Sequence, residues 1–158
     1  MKFELYEKSE KIIAGITLRD GTAAEEGNMA LHSCISPDNV IENRRKLASV
    51  LGSGLDCFVC PSQTHSANFY QVTSQDKGKG AFEQNTAIPN TDAVYTFEPN
   101  ILLCCFSADC VPVIFYNKVS GLIGLIHSGW QGTVKEITIK VFQDLIEKQG
   151  CKPEDFNV

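Results

Sequence analysis

The run ILLCCFSADCVPVIFYNKVSGLIGLI, residues 101–126, decides the fold. Ile101 to Phe106, Val111 to Tyr116 and Leu122 to Ile126 are continuous apolar segments of strand length, separated by Ser-Ala-Asp-Cys and Asn-Lys-Val-Ser-Gly turns. Apolar runs without alternation are the mark of strands covered on both faces. They are predicted to be neighbouring buried strands. Thr133 and Glu136 then have capping-box spacing, and Val134, Ile137, Val141, Leu145 and Lys148 recur at helical intervals until Gly150 and Pro153. His127 is therefore expected to join a strand to a helix.

Working back from that core, Ala93 to Thr96 reads as a short strand with Asp92 at its start. Leu55 to Cys60 reads as another, with Gln63-Thr64-His65-Ser66 on the loop past its end. Between them, Thr73 to Asn90 is polar and Gly-containing, and its Lys77-Gly78-Lys79-Gly80 suggests a mobile surface excursion. Nearer the start, Lys11 to Leu18 suggests a strand and Arg19-Asp20-Gly21-Thr22 a turn. Ser36 can cap a helix with Pro37 at its first position, and Val40, Arg44, Leu47, Ala48 and Leu51 keep helical spacing until Gly52. No repeat or linker divides the chain, so residues 1–158 are expected to form a single domain.

Composition narrows the class of function. Lys and Arg number 14 against 19 Asp and Glu, and the resulting charge of −5 offers nothing to a nucleic-acid backbone or an anionic membrane. Met1 to Leu5 is not a basic segment leading into an apolar one, and no run approaches the roughly 20 apolar residues of a membrane span. A cytoplasmic protein is expected. The seven cysteines are odd in number and unevenly spaced, unlike a disulfide framework, and are read as reduced thiols. Cys57 and Cys60 have redox-motif spacing but fall in a predicted strand, where positions i and i+3 face opposite sides. Cys104 and Cys105 likewise point to opposite faces. Only Cys110 has a reason to be functional.

That reason is its company. Of three histidines, His65 and His127 follow predicted buried strands, and Cys110 occupies a third strand end, where α/β folds gather functional groups. Two imidazoles and a thiolate suit a borderline-soft ion such as zinc, with copper also possible, and three protein ligands leave the open position that separates a catalytic zinc from a structural one. Structural, hydrogen-bonded histidines remain the alternative on spacing alone. Gly129 and Gly132 around Trp130 let the backbone approach a ligand, and the amides opening the next helix could take an anion. Asp109 could orient an imidazole, handle a proton or cap its loop. Trp130 is read as a core indole before a purine platform. Arg44 is on the inward face of its helix, able to meet phosphate or to form a salt bridge at the rim.

Ser107-Ala108-Asp109-Cys110-Val111-Pro112-Val113, His127-Ser128-Gly129-Trp130-Gln131-Gly132-Thr133 and the upstream Gln63-Thr64-His65 resemble, in type and order, the signature of the YfiH/LACC1 family of laccase-domain proteins. Asn28-Met29-Ala30-Leu31-His32 and Glu42-Asn43-Arg44-Arg45 extend the likeness over nearly the whole chain. The resemblance implies a layered α/β/β/α sandwich with mixed sheets, similar to the catalytic domain of the toxin CNF1. It implies zinc on His65, Cys110 and His127, and a purine nucleoside and phosphate as substrates. The activities implied are phosphorolysis of adenosine, inosine and methylthioadenosine, and deamination of adenosine. Asp109 would be catalytic, with Asn28, Arg44 and Gln131 on the substrate side. Copper-dependent phenol oxidation, a metal-free cysteine hydrolase and a silent metal-binding module are the alternatives. Gln131 stands where the family usually has Arg and cannot offer phosphate a charged fork. Family members usually continue past the position of Val158, so a C-terminal part is expected to be lacking and an uncovered strand edge to favour a homo-oligomer.

Overall fold

The computed structural model describes residues 2–9 and 11–158 and is a mixed α/β structure with several sheets and few helices. Contacts divide the chain into two compact units, Met1–Leu55 and Asp56–Val158. The first holds an antiparallel hairpin of β1 (Lys2–Lys8) and β2 (Ile13–Leu18), followed by helix α1 (Pro37–Val50). Strand β1 goes beyond the sequence reading, although Phe3 and Leu5 alternating with Glu4 carry the signal for it. Ser36 occupies the N-cap position of α1 without a side-chain capping bond, and Gly52 at φ +69° ends the helix region. Val40, Asn43, Arg44 and Ala48 form its buried face.

The second unit is layered. Its main sheet has the order β4-β5-β8-β7-β9, from β4 (Phe69–Gln71), β5 (Ala93–Thr96), β7 (Val111–Asn117), β8 (Leu122–Ser128) and β9 (Phe156–Asn157). The β4–β5 pair is parallel and the others antiparallel, so the sheet is mixed. Alternation along the strands supplies two faces. Ala93, Tyr95, Phe115, Leu122 and Ile126 pack with Ile137, Val141 and Leu145 of helix α3 (Ile137–Glu147). On the other side Val94 and Leu125 cluster with Val59 and Leu103 of a separate parallel pair, β3 (Phe58–Val59) and β6 (Leu102–Leu103). Gly124 pairs with Phe115, and a Cβ on it would meet Phe115 Cζ at 2.1 Å, so only glycine leaves room for that ring.

Five expectations need correction. The three apolar runs are not one set of neighbours: β7 and β8 pair, but Leu102–Leu103 pairs with β3 in the other sheet. The run from Ile101 to Phe106 also yields only two strand residues, because Phe106 satisfies both backbone groups on the Gln63 side chain, at 2.7 Å each, and not on a neighbouring strand. Leu55 to Cys60 begins as a 3-10 turn and contributes only β3.

Thr133 and Glu136 form no capping box. A short helix, α2 (Trp130–Val134), begins earlier, and Thr133 instead bonds the Gly129 carbonyl. Glu136, at φ +62°, breaks α2 from α3, and Val134 is exposed. The stretch from Thr73 to Asn90 is anchored to the β3 region and is no solvated excursion. Gly78 donates to Phe58, Cys60 to Lys79 and Ile88 to Cys60, and Gly80 and Ala81 are buried. A Cβ at Gly80 would lie 2.6 Å from the Cys60 carbonyl oxygen. Among the described residues, no helix is long and apolar enough to cross a membrane.

Candidate metal centre

His65, Cys110 and His127 come together in the second unit, their ligating atoms all within 4.8 Å of one another. Cys110 Sγ is 3.7 Å from His65 Nε2, and the two imidazole centroids are 4.9 Å apart. A tetrahedral zinc with ordinary bond lengths separates sulfur and nitrogen ligands by about 3.5 Å, so the Cys110–His65 pair is spaced for such an ion. Cys110 directly precedes β7 and His127 is the penultimate residue of β8; pairing of these strands sets Val111 opposite Ser128 and Pro112 opposite His127. The spacing of two ligands is thus a property of sheet register.

His65 arrives by a different route. It stands on the loop between β3 and β4 in the left-handed region, at φ +58°, where a non-glycine residue needs support. Asp92, at the foot of β5, supplies it. Its Oδ1 accepts the His65 amide at 3.0 Å, and its Oδ2 accepts the amides of Thr64 at 3.1 Å and Ser66 at 2.7 Å and the Ser66 hydroxyl at 2.6 Å. The same Oδ1 lies 2.9 Å from His127 Nδ1, and the Asp92 carbonyl accepts the His127 amide at 2.7 Å. Both side chains are buried. Burial alone opposes ionisation of Asp92, but hydrogen bonds from His127, Ser66 and Thr64 outweigh it and hold the carboxyl well below the usual carboxylate range.

Gly129 closes the cluster: a Cβ there would sit 2.7 Å from His65 Cδ2 and 2.9 Å from Cys110 Sγ. Next to it Trp130 is 74% exposed and is not the core indole expected. The following helix is a single short turn, so the long helix N-terminus anticipated for an anion is not there.

Asp109 is exposed on the Ser107–Cys110 turn, its Oδ1 3.9 Å from Cys110 Sγ. Burial, then the charges of Asp109 and Asp92, raise the Cys110 thiol pKa. Cys105 is pushed up to about 12 by burial and then by the charges of Asp92 and Cys110, which makes it an inert thiol beside the centre. Gln131 is half-buried, and Lys135, one helical turn on, donates to the His65 carbonyl at 2.9 Å and lies 3.4 Å from Gln131 Oε1.

Asn28 and Arg44 belong to the first unit. Asn28 donates to the Ser33 carbonyl and accepts the Ala30 amide, while Arg44 is buried and its Nε donates to the Met29 carbonyl at 2.8 Å. The contacts Asp92 and Lys135 make at the centre go beyond the sequence reading. For Asp92 the sequence offers only a carboxylate at the head of a short strand, with nothing that names its partners; for Lys135 there is none.

A His–Cys–His cluster, two of its members at the ends of paired strands and the third on a loop of the same mixed α/β unit, has the donor set of a metalloprotein-type site. The family described as multi-copper polyphenol oxidoreductase laccase matches residues 13–158, and the chain belongs to it. Among its relatives, the purine nucleoside phosphorylase YlmD of Bacillus subtilis is 37% identical over 153 residues, which are 94% of this chain and 55% of that one. The crystal structure of the Bacillus licheniformis hypothetical protein YfiH superposes with a TM-score of 0.93 at 36% identity, covering 99% of this chain and 60% of that one. That of YlmD from Geobacillus stearothermophilus gives 0.86 at 37% identity, covering 91% and 55%. The chain therefore spans little more than half the length of these relatives.

Proposed function

We propose that this chain carries the metal centre of a zinc-dependent purine nucleoside enzyme, acting in phosphorolysis of adenosine, inosine and methylthioadenosine and in deamination of adenosine. The observation that carries the reading is the His65–Cys110–His127 cluster, whose donor set and spacing suit zinc. The purine nucleoside phosphorylase naming of relatives such as YlmD supports the substrate class. Zinc held by His65, Cys110 and His127 would supply Lewis acidity, the chemistry both reactions draw on. Asp109, exposed beside the thiolate, is assigned proton handling. Gln131 is the substrate-side candidate of this unit, and Asn28 and Arg44 of the first unit are carried as candidates on the family likeness alone.

Lys135 offsets the missing charge at Gln131, since its ammonium reaches both the His65 carbonyl and the Gln131 amide and is exposed to an incoming phosphate. The exposed indole of Trp130, three residues past His127, offers a stacking face to a purine. Seven free thiols suit a reducing, cytoplasmic setting.

Zinc-loaded protein given adenosine and phosphate is expected to release adenine, with inosine or hypoxanthine from deamination. No product under conditions where a full-length relative turns over rejects the activity for this chain. Lys135→Ala is expected to raise the KM for phosphate on the order of tenfold, the loss of about one charge-assisted hydrogen bond, with smaller change in the nucleoside KM. A second reading, copper-dependent phenol oxidation, is favoured by the family's description and by the affinity of two imidazoles and a thiolate for copper. Only one such cluster occurs among the described residues, whereas full reduction of dioxygen takes four electrons. Oxygen uptake with a phenol, measured on copper-loaded protein, separates the two.

A further inference from the structure

We infer that Asp92 is the positioning residue of this centre, fixing both imidazoles in their ligating state before any metal arrives; the inference rests on the metal reading above. Two independent sets of contacts lead there. The first concerns His127. A carboxylate can only accept, so Oδ1 at 2.9 Å from Nδ1 requires the proton on Nδ1, which in the neutral imidazole leaves the Nε2 lone pair for a metal. With His127 and Asp92 both buried, water does not compete for that bond.

The second concerns His65. Its ring stands next to Cys110 on a backbone at φ +58°, a conformation strained for a residue with a Cβ. Three successive amides, of Thr64, His65 and Ser66, converge on the one Asp92 carboxylate and hold that turn, with the Ser66 hydroxyl as a fourth donor. A single buried group thus sets the tautomer of one ligand and the backbone conformation of the other. An amide in its place cannot do both. Whichever oxygen position an Asn NH2 takes, it faces backbone N–H donors, and in the Oδ1 position it would also donate to His127 Nδ1 and move the ring proton to the metal-facing nitrogen.

The chain has only three histidines, so the test is direct. In metal-free, 15N-histidine-labelled wild type above neutral pH, correlation of ring nitrogens and carbons is expected to show His127 in the Nδ1–H form; the Nε2–H form overturns the inference, with no variant needed. Asp92→Asn is expected to bind zinc about 10–100-fold more weakly in competition with a chelator, and to lose the Nδ1–H pattern where its NH2 takes the Oδ1 position. A folded Asp92→Asn that matches the wild type in zinc affinity and tautomer overturns the inference and leaves the metal reading standing. Wild type that takes up no zinc in the same titration overturns the metal reading itself, and the tautomer spectrum still decides the role of Asp92.

Discussion

The two sides of the metal centre are built differently. On the nitrogen side, His65 and His127 are tied to one buried carboxylate through side chain and backbone, and the loop carrying His65 is further tied to Phe106 by Gln63. On the sulfur side, Cys110 ends a turn whose Ser107, Ala108 and Asp109 are all exposed, with the Ser107 hydroxyl on the Cys110 carbonyl as its internal tie. The protein presets two imidazoles and leaves the third arm on a surface turn. Geometry on the nitrogen side is prearranged; on the sulfur side it can adjust to the ion that binds.

The largest effects break the comparison outright. Cys110→Ser and His65→Ala should each remove most of the bound zinc and lower turnover by at least about a hundredfold, measured by metal analysis beside the nucleoside assay. Full zinc in Cys110→Ser, with a covalent substrate adduct on the wild-type thiol, would replace the metal centre by a cysteine hydrolase. Chelation should speed alkylation of Cys110. Because the thiol pKa is raised, the metal-free rate should keep climbing through the alkaline range, where an activated nucleophile would already have levelled off near neutrality.

Next is Gly129→Ala. Its new methyl group meets His65 and Cys110 at under 3 Å, and since His65 is held from behind by Asp92, the yielding side must be the Cys110 turn. Zinc affinity is expected to fall about 10–100-fold with the fold retained. Equal affinity would mean that the nitrogen side yields after all.

Ser66→Ala sharpens the nitrogen half. It removes a hydroxyl donor to the buried carboxylate and should lower stability by about 1.5–3 kcal/mol at neutral pH. The sign of its pH dependence is fixed. The folded pKa of Asp92 lies below its ordinary value of 3.8, so this contribution is present above that value and is lost as pH falls below it toward the folded pKa. Urea denaturation of wild type and variant, carried from pH 7 to well below the usual carboxylate range, should show the gap persisting above the ordinary value and closing only toward the folded pKa. A gap that stays constant would assign the loss to packing.

The smallest effect belongs to the exposed turn. Asp109→Asn should change stability by no more than about 0.5 kcal/mol and leave zinc content alone. It should also ease thiolate formation at Cys110 and so speed alkylation of the metal-free protein at a given pH. A drop in turnover with zinc intact would mark Asp109 as the proton-handling group.

The sequence was most readable where a strand end carried a distinctive donor. His65, Cys110 and His127 could be placed from apolar runs and turn residues, because strand period and length are local properties. Asp92 escaped as a functional residue since its partners are backbone amides 26–28 positions away and a histidine 35 away, which no local pattern encodes. The break at Glu136 was hidden by a local signal pointing elsewhere: Thr133 and Glu136 imitate a capping box, while Gly129 and Trp130 start the helix a turn earlier. Likewise, lysines and glycines from Lys77 to Gly80 look solvated by composition, yet positive φ at Gly78 and Gly80 lets that backbone lie against β3 and Cys60.

The glycine beneath the Phe115 ring has a reach beyond its own packing. Because Gly124 is the position that admits the ring, the pair works as a key in a keyway, and β7 cannot slide along β8 by one residue without driving Phe115 onto the Cβ of Ile123 or Leu125. Such a slide would also turn the side chains of one strand to the opposite face relative to the other. Cys110 and His127 hang from the far ends of these same strands, so their alignment is indexed from the middle of the sheet. Gly124→Ala is a change remote from every ligand that would misalign the thiol with the imidazole.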